Sequence, residues 1–131
     1  GRASGRIHEG VRRRWREGDR EVHQAMTVLC ELVDSGSACL QRGDHAAFRK
    51  LMDQNFEIRA QLFPISKPNR EMVEIGRSFG AGVKLCGSGG AVVGALPDAR
   101  DFAEIERAYH GAGYGMIRPE VQSKREERGL A

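Results

Sequence analysis

Residues 83–96, Val-Lys-Leu-Cys-Gly-Ser-Gly-Gly-Ala-Val-Val-Gly-Ala-Leu, decide how the rest of this chain is read. Two short β-prone runs, 83–86 and 91–96, flank Gly87-Ser88-Gly89-Gly90, which is the pattern of strand, glycine-rich connection and strand. Upstream the hydrophobic period is helical. Over 19–42, Val22, Met26, Leu29, Val33 and Leu40 recur near helical spacing and Gly43 closes the run. This phase puts Cys30 on the apolar face as a core thiol. Asp44 is placed to cap a second helix, with Phe48, Leu51, Met52, Asn55, Ile58, Arg59 and Leu62 on one broad face. That helix ends at Phe63-Pro64, because the residue before proline disfavours the helical conformation. A third helix is expected at 69–79, capped by Asn69 and stopped by Gly80. Downstream, Pro97-Asp98 turns into a helix at 101–110, a closing strand is expected at 114–121, and 122–131 is a polar tail. Helices ahead of a small, mostly antiparallel sheet make an α+β domain, with 1–121 as its body.

Composition sets the outer limits. The 131 residues suit one domain, and 40% hydrophobic with 30% charged residues excludes a disordered class. The longest apolar stretch, 91–96, is too short to span a bilayer, and no partner membrane is expected. The opening GRASGRIHEG lacks the apolar region of a secretory signal. Cys30, Cys39 and Cys86 have uninformative spacing, without a Cys-x-x-Cys pair, so neither a zinc site nor a disulfide framework is expected and a reducing cytoplasm is the natural location. The net charge is only +3, yet residues 1–20 carry seven arginines against three acids. Such a cluster serves a nucleic acid, a small anion or simply a solvated helix face. Trp15 is the lone aromatic within it, which disfavours single-strand stacking.

Chemistry, if any, concentrates at 84–93. Closely spaced glycines admit positive φ and let backbone N–H groups approach an anion. No Gly-Lys-Ser/Thr follows, so the loop is not a Walker A loop, and a strand rather than a helix follows, so it is not a dinucleotide-binding turn. An ordinary glycine hairpin remains the alternative. Lys84 either neutralises phosphate or is solvated, and Cys86 has no assigned base that would make it a nucleophile. Arg59, a charge among core-facing positions, either pairs with an acid or points into a ligand cleft.

Lys84-Leu85-Cys86-Gly87-Ser88-Gly89-Gly90-Ala91, following Arg77-Ser78-Phe79-Gly80-Ala81, resembles the third motif of the GHMP small-molecule kinases. The helix Leu51–Arg59 resembles the one preceding that motif. With Ser4-Gly5-Arg6-Ile7-His8, Val11-Arg12-Arg13-Arg14-Trp15, Gly18-Asp19 and Met72-Val73-Glu74-Ile75, the likeness extends over Ser4 to Pro119 and is greatest to the glucuronokinase branch. The family usually has threonine where Cys86 stands. The resemblance implies the C-terminal lobe of a ferredoxin-like kinase fold, with the main phosphate loop on an N-terminal lobe that this chain lacks. The implied reaction is phosphoryl transfer from ATP, with Mg2+ held mainly by that other lobe, to the anomeric hydroxyl of glucuronate. It further implies that Gly87, Ser88, Gly89, Gly90 and Lys84 brace the nucleotide phosphates. Arg59, Arg12 and Arg14, in that order, are the candidates for the substrate carboxylate, since a guanidinium binds a carboxylate bidentately. No catalytic residue and no metal ligand is assigned to this lobe, and the isolated chain is expected to be inactive. A galactokinase, arabinokinase or mevalonate kinase type is the first alternative, and a non-catalytic binding domain the second.

Overall fold

The computed structural model describes residues 2–121, with side chains from residue 5. The elements run α1 (Arg2–Arg16), α2 (Arg20–Gln41), α3 (His45–Leu62), α4 (Lys67–Ser78), β1 (Gly82–Leu85), β2 (Val92–Ala95), a 3-10 turn at Ala99–Asp101 and α5 (Phe102–Gly111). β1 and β2 form one antiparallel hairpin, Gly82 opposite Ala95 and Leu85 opposite Val92. The α+β class therefore stands as expected.

Local chemistry sets the boundaries. Asp19 caps α2 by accepting from the amides of Glu21 and Val22, and Asp44 caps α3 by accepting from Ala47. Phe63 is extended beyond the last turn of α3, as the following proline requires. The expected cap of α4 is corrected. The helix begins earlier, with Ser66 as N-cap accepting from the Asn69 amide at 3.4 Å and Pro68 in the first turn, where proline's missing N–H costs nothing. Asn69 is thereby freed from capping and turns inward, where it is buried.

The central core is Phe56 of α3, Val73 of α4, Ala81, and Val83 and Leu85 of β1, with Val92 and Leu96 packed against it. A second cluster joins Val22 and Ala25 of α2 to Leu62 of α3. A third joins Met72 of α4 to Ile105 and Tyr109 of α5, where the Tyr109 hydroxyl donates to the Met72 carbonyl at 2.7 Å. The phase expected for α2 is only half right. Val22 is buried, but Val33 and Leu40 are 68% and 52% exposed, and Cys30 is exposed rather than buried. In its C-terminal half α2 buries Gly36 and Cys39 instead, and a Cβ at Gly36 would already touch Phe48 of α3 at 3.5 Å. The small residues allow the close crossing, so the larger ones turn outward.

The expected closing strand at 114–121 is absent among the described residues. The register and the Cys86 N–H to Ala91 carbonyl bond leave Val83 pointing its amide away from β2. That outer edge of β1 is closed by α3, because the Val83 N–H donates to Asp53 Oδ1 at 3.0 Å. Only the start of this segment packs on helices. Tyr114 and Met116 join the α4–α5 cluster, the Tyr114 hydroxyl donates to Glu71 at 2.7 Å, and Ile117 and Val121 face solvent. Pro119 also lacks the N–H that a ladder needs. The tail at 122–131 lies outside the described residues.

Asp53 also receives Arg77 Nε at 3.0 Å, while Arg77 reaches Glu57 at 2.7 Å and lies over the Phe56 ring. One carboxylate thus ties α3, α4 and β1 together. Asp53→Ala is expected to destabilise the chain by about 2 kcal/mol, the scale for a charge-assisted hydrogen bond whose partners lose their acceptor. A urea midpoint unchanged from that of the parent protein would contradict this.

Candidate functional site

The glycine connection is a shaped loop. Gly87, Gly89 and Gly90 have φ of 54°, 122° and 87°. The Gly89 N–H donates to the Cys86 carbonyl at 3.1 Å, making a tight turn, and the Cys86 N–H donates to Ala91 at 2.9 Å at its base. Two neighbouring helices hold the loop from outside the hairpin. From α4, Asn69 Oδ1 accepts the Gly90 N–H at 2.9 Å. From α3, an Arg59 Nη donates to the Gly87 carbonyl. The amides of Gly89 and Gly90 are consequently committed within the protein, and the Gly87 carbonyl faces a cation.

The other residues expected at the site distribute unevenly. Lys84 lies on β1 just before the loop, half-buried, with its ammonium donating to the Leu85 carbonyl at 3.2 Å. Ser88 is half-buried at the loop's tip. Cys86 is exposed beside it. Arg59 pairs with no acid among the described residues. It is half-buried, desolvation lowers its pKa from the usual arginine value, and it packs over the Phe63 ring. An arginine remains charged under these conditions, so this is a cation at the loop. Behind it, a cleft of about 290 Å³ lies between α1, α2 and α3, with Asn55 and His8 among its lining residues. Asn55, one helical turn before Arg59, keeps a buried Oδ1 with no hydrogen-bond partner.

Arg14 lies elsewhere. Its guanidinium binds Asp19 at 2.7 Å, Glu21 at 2.8 Å and the Leu62 carbonyl at 3.2 Å, locking the corner between α1 and α2 onto the end of α3. Arg14 in turn holds the Asp19 carboxyl below the usual carboxylate range. Arg12 is on the exposed side of α1. The three arginines are therefore not one constellation, and only Arg59 reaches the glycine loop. The residue that sequence reasoning missed is Asn69. Its signal was available, since Ser66 followed by Pro68 makes the better helix start and leaves Asn69 on the same inner face as Met72 and Val73.

Residues 37–115 match the family of C-terminal domains of the GHMP kinases. The chain belongs to that family. The match takes in α3, α4, the glycine hairpin and α5, the parts that shape and hold the loop. This GHMP kinase C-terminal domain is similar to glucuronokinase 1 of Arabidopsis thaliana, 40% identical over 117 residues, which is 86% of this chain and 32% of that protein. It is also similar to a probable glucuronokinase 2 of the same plant, 39% identical over 98 residues, 72% of this chain and 27% of the relative. The chain thus spans about a third of the length of the curated relatives that it matches. No solved structure matches it.

Proposed function

We propose that this domain is the C-terminal lobe of a kinase that transfers the γ-phosphoryl group of ATP to the anomeric hydroxyl of glucuronate. The observation that carries this reading is the 40% identity to a glucuronokinase, sustained over 86% of the chain. In the reaction the C1 oxygen bonds to the γ-phosphorus as the bond to the β,γ-bridging oxygen breaks. The hydroxyl proton is lost, and ADP and glucuronate 1-phosphate leave. Phosphoryl transfer depends mainly on positioning and on stabilising charge, so a lobe that holds a rigid loop against the reacting groups contributes without supplying a nucleophile or base.

In this reading the loop Gly87–Gly90 lies against the nucleotide phosphates and the phosphate loop of the remaining protein, with Lys84 adding positive charge. The committed amides of Gly89 and Gly90 favour bracing over direct donation at those two positions. Mg2+ would neutralise phosphate charge. In this reading that ion is assigned to the remainder of the protein, and this chain alone is expected to be inactive. The acceptor's carboxylate is assigned to Arg59, the cation beside the loop that no acid among the described residues neutralises.

Arg59→Ala in the full-length protein is expected to raise the KM for glucuronate by about tenfold or more, with a much smaller rise for ATP, as loss of a charged hydrogen bond implies. Equal rises for both would reassign Arg59 to the loop, whose Gly87 carbonyl it holds. The function itself is tested by ADP release from the full-length protein with glucuronate, galacturonate, galactose, arabinose and mevalonate in parallel. Turnover confined to glucuronate supports the proposal, and turnover of a neutral sugar without glucuronate defeats it.

A further inference from the structure

The glycine loop carries three positive-φ residues, and a polar side chain from another element accepts a hydrogen bond from its backbone. Asn69 is 9% exposed, so its amide is nearly out of water, and a buried amide group is tolerated only when it is hydrogen-bonded. Its Oδ1 takes the Gly90 N–H at 2.9 Å. Its amide group also lies beneath Gly89, where a Cβ would come within 3.1 Å of Asn69 Cγ and closer still to Nδ2. The chain therefore approaches this side chain at the one kind of residue that leaves it room. Ser66 caps α4 and Pro68 stiffens its first turn, so Asn69 projects from a fixed platform, and Met72 and Val73 on the same face are packed into the core.

We infer that Asn69 is a positioning residue for the glycine loop, the anchor that holds Gly89–Gly90 in the conformation presented to the nucleotide phosphates. Two features set it apart from a residue that only fills space. Its bond crosses 21 residues of sequence to reach a loop amide, and it acts where the loop's own hairpin bonds stop, since the Gly89 and Cys86 amides close the turn internally and Gly90 relies on Asn69. A carbonyl oxygen suits the place for a further reason. A neutral acceptor orders the amide without setting a negative charge beneath an anion site, whereas aspartate would order it and repel the anion. The loop-anchoring part stands on geometry alone, and the link to phosphate rests on the kinase reading.

The test compares Asn69→Ala and Asn69→Asp in the full-length protein, by hydrogen exchange of the peptide covering 86–91 and by steady-state kinetics. Asn69→Ala is expected to speed exchange in that peptide by about tenfold, the scale of one lost hydrogen bond, while β1 and α3 keep their protection. Asn69→Asp is expected to restore loop protection yet raise the KM for ATP above that of the alanine variant, with the KM for the sugar acid within about twofold of the parent. Unchanged loop exchange in Asn69→Ala overturns the inference. So does acceleration spread evenly over α3, α4 and β1, which marks a general loss of stability. Faster loop exchange in Asn69→Ala, reversed in Asn69→Asp, upholds the anchor even if the parent protein phosphorylates none of the acceptors; in that event the kinase reading falls by itself. Restored protection with an ATP KM equal to the parent's overturns the link to phosphate.

Discussion

Gly82→Ala is expected to be the most damaging single methyl in this chain. A Cβ at Gly82 would fall 2.5 Å from the Arg49 Cα and 2.7 Å from its carbonyl carbon, in the backbone of α3. Flexible side chains can turn away from an intruding atom, but a helix backbone can yield only by moving as a body. That movement would pull α3 off β1, open the Val83 to Asp53 bond and loosen the packing of Phe56 on Val83 and Leu85. Overpacking commonly costs about 1–3 kcal/mol, and a rigid partner puts this site at or above the upper end. Gly94→Ala is the matched control on the partner strand, since a Cβ there meets its nearest neighbours at 3.4 and 3.5 Å, ordinary contact distances. Urea midpoints should fall far more for Gly82→Ala than for Gly94→Ala. Equal losses would contradict the close crossing of α3 over β1.

Gly89→Ala should instead leave the fold intact and damage the loop. Gly89 sits at φ 122°, a conformation that costs a residue with a Cβ about 1–3 kcal/mol, and that Cβ would press on Asn69. The turn would have to re-form and the Gly90 amide would leave its acceptor. If that energy is needed to hold the loop in its working shape, kcat/KM for ATP falls by about 10- to 100-fold in the full-length protein. The melting temperature should fall by no more than several degrees, because the loss is confined to the loop and no apolar core residue is touched. Gly87→Ala, at φ 54° with open space around it, adopts a conformation that ordinary residues can reach at lower cost and should be milder. Equal effects at 87 and 89 would remove the special role given to the contact between Asn69 and Gly89.

The sequence made the framework legible wherever one local rule controlled it. Asp19 and Asp44 cap the helices assigned to them, Phe63-Pro64 ends α3, and the glycine run lies between two strands displaced by one residue from their expected ends. It misled where tertiary packing selected among local options. The larger apolar residues of α2 suggest one phase, but Gly36 and Cys39 are the buried positions and leave Val33 and Leu40 outside. The closing segment has strand-like residues, yet α3 already occupies the outer edge of β1, and Tyr114 finds Glu71 instead. The site was legible as a loop but not as an assembly. Periodicity exposed Arg59 as an odd charge on a core-facing surface, whereas its bond to Gly87 spans 28 residues. Arg14 looked equivalent by composition, and only the fold reveals its two acids. Asn69 has the residue type of a cap, but Ser66, three residues earlier, takes that place.

Where the phosphoryl group goes is shown most directly by the product. Full-length protein incubated with ATP and glucuronate should yield one new phosphorylated sugar acid. Its phosphorus NMR signal should be split by the anomeric proton, marking the phosphate on C1. Phosphate on any other carbon, or release of inorganic phosphate with glucuronate unchanged, would contradict the account.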